Sequence, residues 1–308
     1  MRNPRKLFRT DPEVVESLRA RDGAPVLVHA VRGFVDAGAV GSVVVEHLRS
    51  LSEPRLLATF EVDELLDYRS RRPPMTFASN AWTDVEMPEL VLELLADTEG
   101  TPLLLLHGPE PDTQWERFVA AVRCLVEDLG VSLTVGAHGI PMAVPHTRPL
   151  TATVHGTRSE LVADLPSWFG TVQVPGSVSS LLELRLGQAG HDAVGVAVHV
   201  PHYLAASSFP AAAVTALEHL ERVTGLELAV GALEPAVRRA AEEVERQVAE
   251  SEEAVELVRA LENQYDAFRR GLEQEDMLAA DVRLPTAEEI GAEFERFLAQ
   301  QSQDPGQQ

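Results

Sequence analysis

The sequence is almost without cysteine and lysine. Cys124 is the one cysteine among 308 residues, and Lys6 is the one lysine among 26 basic residues. A disulfide framework and a multi-cysteine zinc site are therefore excluded. Schiff-base chemistry and P-loop nucleotide hydrolysis would have to use Lys6, which precedes the first predicted strand, so both are disfavoured. Cys124 falls at an apolar position of a predicted helix, and we expect it in the core.

Long apolar runs and an excess of positive charge are also missing. No run approaches the about 18 apolar residues of a membrane span, and the N-terminus lacks the apolar stretch of a secretory signal. The formal net charge is −22, from 48 acidic and 26 basic residues. The negative electrostatic field of such a chain repels the phosphate backbone of a nucleic acid. We expect a cytoplasmic protein with no nucleic-acid partner and no membrane partner. Hydrophobic residues make up 45% of the chain, which is enough for a sizeable core.

Short apolar runs alternate with amphipathic stretches over most of the chain. Six almost continuously apolar runs predict strands buried on both faces, at 26–31, 56–60, 103–107, 133–136, 151–154 and 194–200. Helices are predicted between and after them, at 37–50, 113–129, 177–190 and 210–224. The alternation predicts a three-layer α/β/α fold with a mostly parallel sheet.

The composition changes from Glu234 onward. Residues 227–308 hold 20 acidic and 8 basic residues, and apolar residues at 4-3 spacing predict a long helix that turns into a second one. A further helix is predicted from Pro285. We therefore divide the chain into an N-terminal arm (1–23), an α/β/α domain (24–230), an acidic helical appendage (231–300) and a flexible tail (301–308). We expect the acidic helices to bind a partner protein rather than complete the core. A merely solvated acidic face is the alternative.

The turn after the first predicted strand is the first candidate binding loop, because ligands of open α/β sheets bind where strands end. It carries Gly33, Phe34, Asp36 and Gly38. The glycine spacing does not match the dinucleotide fingerprint. Asp36 is placed to cap a helix that begins near Ala37, and its carboxylate would oppose a phosphate. A capped tight turn is the simpler interpretation, and contact with a substrate or partner is the alternative.

The end of the third predicted strand is a second candidate. His107 and Gly108 stand there, and Asp112 or Thr113 is expected as the N-cap of the following helix. His107 could be a general base or a metal ligand. The alternative is a half-buried histidine that bonds to the backbone.

Two later stretches are rich in histidine, glycine and proline. In the first, His138, His146 and Arg148 could bind an anion, and Gly139 is a further candidate loop residue. The second group of strand-end and loop candidates is Pro175, Gly176, His199, His202 and Tyr203. No histidine pair shows metal-ligand spacing within a predicted helix, and no Gly-x-Ser-x-Gly elbow occurs. We expect no metal, no cofactor and no assigned catalytic residue.

Several of these segments occur together in a recognisable order, at 33–38, 103–109, 136–145, 174–182 and 199–203. In this order they resemble the proteasome assembly chaperone 2 family, in its actinobacterial branch, over roughly residues 24–230. The resemblance implies an α/β/α fold like that of nucleoside phosphorylases and certain peptidases, oligomers, and no established catalytic residues. Proteasome-binding members often end in hydrophobic-Tyr-any, whereas this chain ends in Asp-Pro-Gly-Gln-Gln. We therefore do not expect docking through the terminus.

Two classes of function fit these observations. The first is a non-catalytic protein-interaction or assembly-chaperone-like protein. The second is a nucleoside phosphorylase- or hydrolase-like enzyme that uses the strand-end loops. An enzyme should bring His107, His138 and Arg148 around one concave pocket. We also expect a homo-oligomer, a trimer ahead of a dimer, because the resemblance implies assemblies and the apolar run 43–51 is wider than one sheet face needs.

Overall fold

A computed structural model gives the fold of residues 2–21, 23–163 and 171–275. Its strands are β1 Phe8–Thr10, β2 Val26–Arg32, β3 Arg55–Phe60, β4 Met75–Ala78, β5 Ala81–Val85, β6 Val91–Ala96, β7 Pro102–Pro109, β8 Leu133–Met142, β9 Ala152–Gly156 and β10 Ala193–Pro201. Its helices are α1 Pro12–Arg19, α2 Val40–Leu51, α3 Trp115–Leu129, α4 Val178–Gln188, α5 Pro210–Thr224, α6 Glu234–Ala249 and α7 Glu252–Glu275. None of these described helices has the length and apolar character to cross a membrane. The helix predicted from Pro285 and the tail 301–308 lie outside the described residues.

Eight strands form one sheet in the order β1-β3-β6-β7-β2-β8-β10-β9. The four central strands, β7, β2, β8 and β10, run parallel. The strands on both sides of them pair antiparallel. The predicted α/β class is confirmed, and the sheet is parallel at its centre. The apolar pattern did not predict β6, which pairs antiparallel with both of its neighbours in the sheet. A short apolar run such as 90–95 does not by itself distinguish a strand from a helix.

Helices cover both faces of the sheet and close two apolar cores. On one face α2 and α5 contribute side chains such as Val44 and Leu217. On the other face α1, α3 and α4 contribute side chains such as Leu18, Phe118 and Leu182. Each core excludes water from one side of the central strands, which is why those strands read as continuous apolar runs. The three-layer α/β/α arrangement is confirmed.

The apolar run on α2 is used inside the protomer. Val44 and Leu48 are fully buried, and Val43, Val45 and Leu51 pack against the same core. This packing inside the protomer accounts for the width of the run, so the run by itself is no argument for an oligomer.

The acidic helices α6 and α7 pack on the domain. Val244 of α6 is buried in the same apolar cluster as the side chains of α5. Val258 and Leu261 of α7 are buried as well. The expectation that these helices do not complete the core is wrong in this respect. Acidic residues on their outer faces, such as Glu242 and Glu253, remain exposed.

Strands β4 and β5 form a separate two-stranded hairpin whose every residue is exposed. Phe77 and Trp82 are 56% and 64% exposed, and their rings meet edge to face with centroids 5.0 Å apart. Met75 and Val85 are exposed beside them. An isolated hairpin of this kind is only marginally stable in water. Its apolar surface is of the kind that marks interaction sites.

The N-terminal residues belong to the sheet and its covering layer. β1 pairs antiparallel with β3, and Val14 and Leu18 of α1 are buried. Arg5 forms an ion pair with Asp128 at the end of α3. The segment expected as an arm at 1–23 thus contributes to the core over most of its described length.

Candidate functional site

The loops that follow the parallel strands meet at one edge of the sheet, as parallel topology requires. The backbone N–H of Gly38 donates to the carbonyl oxygen of Ala205 at 2.9 Å, which joins the loop after β2 to the loop after β10. The backbone N–H of His146 donates to the hydroxyl of Tyr203 at 2.9 Å, which joins the loop after β8 to the same neighbour. The loops after β2, β8 and β10 are therefore joined into one continuous surface.

Asp36 bonds to the first turn of α2 without being its N-cap residue, because the helix begins at Val40 and not near Ala37, and Ala39 precedes it. Its carboxylate oxygens accept the N–H of Gly41 at 2.9 and 3.1 Å. One of them also accepts the N–H of Gly139 on β8, at 3.3 Å. Burial raises the pKa of Asp36, and the backbone hydrogen bonds oppose this rise. The carboxylate therefore ties the first turn of α2 to the neighbouring strand.

Two glycines permit this close approach of loop and strand. Gly38 has a left-handed backbone with φ of 70°, which glycine adopts without a steric cost. A Cβ atom at Gly139 would collide with the carbonyl oxygen of Ala37. Both positions are thus required by the fold, independently of any ligand.

Glu110 is a second buried carboxylate at this edge, and it was not among the predicted site residues. Its side chain is 6% exposed, and Oε1 accepts the N–H of Val178 at 2.7 Å, at the start of α4. A Cβ atom at Gly33 would collide with this carboxylate. The signal in the sequence was a glutamate between two prolines, which gives no indication of a partner on a helix 68 residues away.

The N-termini of α2 and α4 are therefore both occupied by carboxylates of the chain itself. A helix N-terminus attracts anions because its first N–H groups lack partners within the helix. Here Asp36 accepts the N–H of Gly41 on α2, and Glu110 accepts the N–H of Val178 on α4. A phosphate placed at either helix would meet a carboxylate.

The prediction that Asp112 or Thr113 is the N-cap of α3 is wrong. The residue before α3 is Gln114, which has a left-handed backbone and makes no side-chain capping bond. The Asp112 carboxylate instead accepts the backbone N–H of Asp67 at 2.7 Å and pairs with Arg71 at 2.9 Å. It orders the loop that leads to the hairpin.

His107 lies on the α2 face of the sheet. Its Nε2 is 3.0 Å from Glu93 Oε2 on β6, and the same carboxylate pairs with Arg49 of α2 at 2.9 Å. His107 is thus bonded to a side chain, whereas a bond to the backbone was the alternative that the sequence suggested.

His138 and His199 lie on the opposite face, which α4 covers. Burial lowers the pKa of each of these histidines to about 4, so both are neutral at physiological pH. The ring nitrogens of His199 are each 2.8 Å from a hydroxyl, that of Thr151 and that of Thr153. The polar atoms of His199 are accordingly used in holding β9 to β10.

Arg148 is bound by α7. Its guanidinium donates to both carboxylate oxygens of Asp266 at 2.8 Å and to Glu262 at 3.1 Å. Hydrogen bonding to Arg148 lowers the pKa of Asp266. A cavity of about 390 Å³ lies beside Arg148, between its loop, α5 and α6, with Phe209 and Val237 in its wall. The carboxylates of Asp266 and Glu262 thus take the place of the bound anion that the sequence suggested at Arg148.

His146 and Tyr203 close the same loop. His146 Nδ1 is 2.6 Å from the Tyr203 hydroxyl, and burial raises the pKa of Tyr203. His202 packs edge to face on Tyr203 with ring centroids 5.5 Å apart. These three residues form a local cluster that holds the loops after β8 and β10 together.

The remaining predicted residues lie apart from that cluster. Phe34 is 56% exposed, and Pro175 and Gly176 are exposed before α4. Gly108 has φ of 135°, and a Cβ atom there would collide with the carbonyl oxygen of Glu89. Its role is to allow a close backbone approach.

The structure does not bring His107, His138 and Arg148 around one pocket. His107 faces α2, His138 faces α4, and Arg148 is paired with α7. Over the ranges 2–21, 23–163 and 171–275, no three ligating side chains converge to hold a metal ion. The arrangement favours packing and connection of loops over acid–base chemistry at a shared centre.

Comparisons with known proteins agree with this fold. A Mycobacterium tuberculosis protein of unknown function is 46% identical, with a TM-score of 0.82 over 88% of this chain and 92% of its own. A Corynebacterium glutamicum protein of unknown function is 36% identical, with a TM-score of 0.78 over 85% of this chain and 97% of its own. A Mycobacterium tuberculosis proteasome-assembly chaperone homologue shares the fold at 22% identity, with a TM-score of 0.70 over 76% of this chain and 99% of its own.

No curated protein matches the sequence. The family model described as the PAC2 family matches residues 30–248, which include the central sheet, the strand-end loops and most of α6. The match thus covers well over half of the chain, and it agrees with the resemblance drawn from the loop segments. The chain belongs to the PAC2 family.

Proposed function

We propose that this protein is a non-catalytic, assembly-chaperone-like protein that works through protein–protein contacts. The observation that carries the proposal is the exposed hairpin β4–β5. It presents Phe77 and Trp82 to solvent, 56% and 64% exposed, without a core of its own beneath them. Aromatic side chains of this kind are frequent anchors of interfaces. The chaperone homologue named above supports the proposal at the level of the fold.

The enzyme alternative receives no support from the strand-end loops. The N-termini of α2 and α4, which could attract an anion, already face the carboxylates of Asp36 and Glu110. The candidate acid–base and anion-binding residues lie on different faces of the sheet. We therefore propose no reaction for this protein.

In this proposal the hairpin joins copies of the chain into a homo-oligomer, with a trimer as the preferred number. Burial of its apolar side chains against a neighbouring protomer would remove the exposed patch and stabilise the hairpin. The acidic outer face of α6 and α7 then remains free for a second protein with a basic surface, and a proteasome subunit is one candidate. The cytoplasm is the proposed compartment.

Light scattering tests the oligomer. The wild-type protein should show about three times the protomer mass of 33.5 kDa. The double variant Phe77→Ser/Trp82→Ser should show the protomer mass. Leu184→Ser is the matched control, because Leu184 is 54% exposed on α4 and lies outside the hairpin. A wild-type mass of one protomer, or an unchanged mass in the double variant, would contradict the proposal.

Affinity purification from the native host with mass spectrometry tests the second partner. Hydrogen exchange then locates the contact, because amides at 240–260 should exchange more slowly when the captured partner is added. A partner that instead protects only the hairpin would contradict the assignment to α6 and α7.

A further inference from the structure

One row of residues crosses four adjacent strands beneath α4. His29 on β2 pairs in register with Gly136 on β8, which pairs with Gly195 on β10, which pairs with His155 on β9. The two glycines make room for the two histidine rings. A Cβ atom at Gly136 would stand 2.5 Å from the His29 ring, and one at Gly195 would collide with the His155 ring.

This row forms a cluster with His138 and with one carboxylate from above. His138 follows Gly136 by two residues on β8 and therefore points to the same face. Glu183 of α4 accepts a hydrogen bond from His155 Nδ1 at 2.8 Å when that nitrogen is protonated. The cluster thus contains three imidazoles, those of His29, His138 and His155, and the single carboxylate of Glu183.

The cluster's imidazoles differ in their affinity for protons. The bond to Glu183 raises the pKa of His155. Burial, and to a lesser extent the charge of a neighbouring histidine, lowers the pKa of His29 and of His138 to about 4. His29 is 4% exposed, and its Nδ1 has no hydrogen-bond partner among the described residues.

The other charged groups around α4 are engaged elsewhere. On α4 itself, Arg185 bonds to Glu116 of α3 at 3.0 Å. At the far ends of β9 and β10, Arg158 bonds to Asp192 at 2.7 Å. Glu110 bonds to the first turn of α4, and on β10 His199 lies between the hydroxyls of Thr151 and Thr153. Within the described part of the chain, Glu183 is the one carboxylate bonded to the cluster.

We propose that this cluster is an acid-sensitive joint between α4 and the sheet. A first proton resides on His155 and is matched by Glu183. A second proton, on His29 or His138, meets no carboxylate and would be a buried, unpaired charge. As the pH falls, a state in which α4 has left the sheet and water reaches the imidazoles is therefore favoured. That state exposes Leu182 and Leu186, which are buried when α4 is closed.

The direction and size of the effect follow from linkage. A histidine whose pKa is about 4 in the closed state and about 6.5 in the open state binds its proton more tightly when α4 is open. His29 and His138 therefore make closure less favourable as the pH falls below about 6.5. Protonation of His155, whose pKa is raised in the closed state, instead favours closure and is already matched by Glu183. At pH 5 each of His29 and His138 favours opening by about thirtyfold.

Hydrogen exchange of the full chain at pH 7 and pH 5, corrected for intrinsic exchange rates, tests the joint. Amides at 178–188 should lose protection at pH 5 by at least about tenfold more than amides of α3. His138→Gln should reduce that loss by about tenfold or more, because it removes one proton-binding group. His219→Gln is the control, because His219 lies on α5, on the other side of the sheet, and should leave the loss unchanged.

Glu183→Gln provides a second, independent readout. It removes the one carboxylate that matches His155, so α4 should open at a higher pH than in the wild type. The proposal is overturned if α4 keeps its protection at pH 5, or if α3 and α4 lose protection together. It is also overturned if His138→Gln behaves as the wild type, or if Glu183→Gln opens at the same or a lower pH.

Discussion

Removal of the Asp36 carboxylate should destabilise the protein by about 2 kcal/mol. The loss of a helix cap costs about 1 kcal/mol. The sequence alone supports that figure, and the structure adds the bond from Gly139 at 3.3 Å. In Asp36→Ala the N–H of Gly139 loses this acceptor on a buried strand, which costs a further 1 kcal/mol or so. Burial raises the pKa of Asp36, so removal of this buried charge offsets part of the cost. We therefore use the low end of the roughly 1–3 kcal/mol that an unpaired buried N–H costs.

Urea unfolding at pH 7.5 measures this difference, with Asp36→Asn as the matched variant. The asparagine keeps an acceptor oxygen in the same place, so it should cost less than half of the alanine effect. Because the pKa of Asp36 is raised in the folded state, the wild type should gain stability relative to Asp36→Asn as the pH falls towards 4. The reasoning fails if Asp36→Ala lies within about 0.5 kcal/mol of the wild type, or if both variants are equally destabilised.

Three further changes test the packing at the same edge of the sheet. Gly139→Ala should lower the melting temperature strongly, because its Cβ collides with a carbonyl oxygen, whereas Gly176→Ala, whose nearest neighbour atom would lie 3.9 Å away, should not. Glu110→Ala should cost about 1–3 kcal/mol in urea unfolding, because it leaves a buried N–H of α4 without an acceptor, and an unchanged midpoint would contradict the capping role. Arg148→Met should speed hydrogen exchange at 255–268 and leave β7 protected, because it removes the ion pair with α7. Salt at about 1 M should have the same effect on the wild type, because it screens that ion pair. Equal protection of α7 in both proteins would show that apolar packing alone holds that helix.

The sequence predicts those parts of the fold that depend on local pattern. The strands 26–31, 103–107 and 194–200 are buried on both faces, so nearly every side chain in them must be apolar, and the run is visible without knowledge of its neighbours. The bond from Asp36 to the first turn of α2 is also local, because Gly41 lies only five residues later, although the sequence placed the start of the helix three residues too early. The loop segments also identify the family, because their order is a property of the sequence.

Tertiary structure decides the features that depend on partners distant along the chain. Glu110 caps a helix that begins 68 residues later, and Arg148 pairs with an aspartate 118 residues later. No periodicity encodes such pairs. The row from His29 to His155 exists only through strand register, and a shift of one residue would move its side chains to the other face. The sequence did not predict the exposed hairpin β4–β5 for a related reason. Its aromatic residues suggest burial, and only the tertiary structure shows that no core formed by residues 2–21, 23–163 and 171–275 covers them.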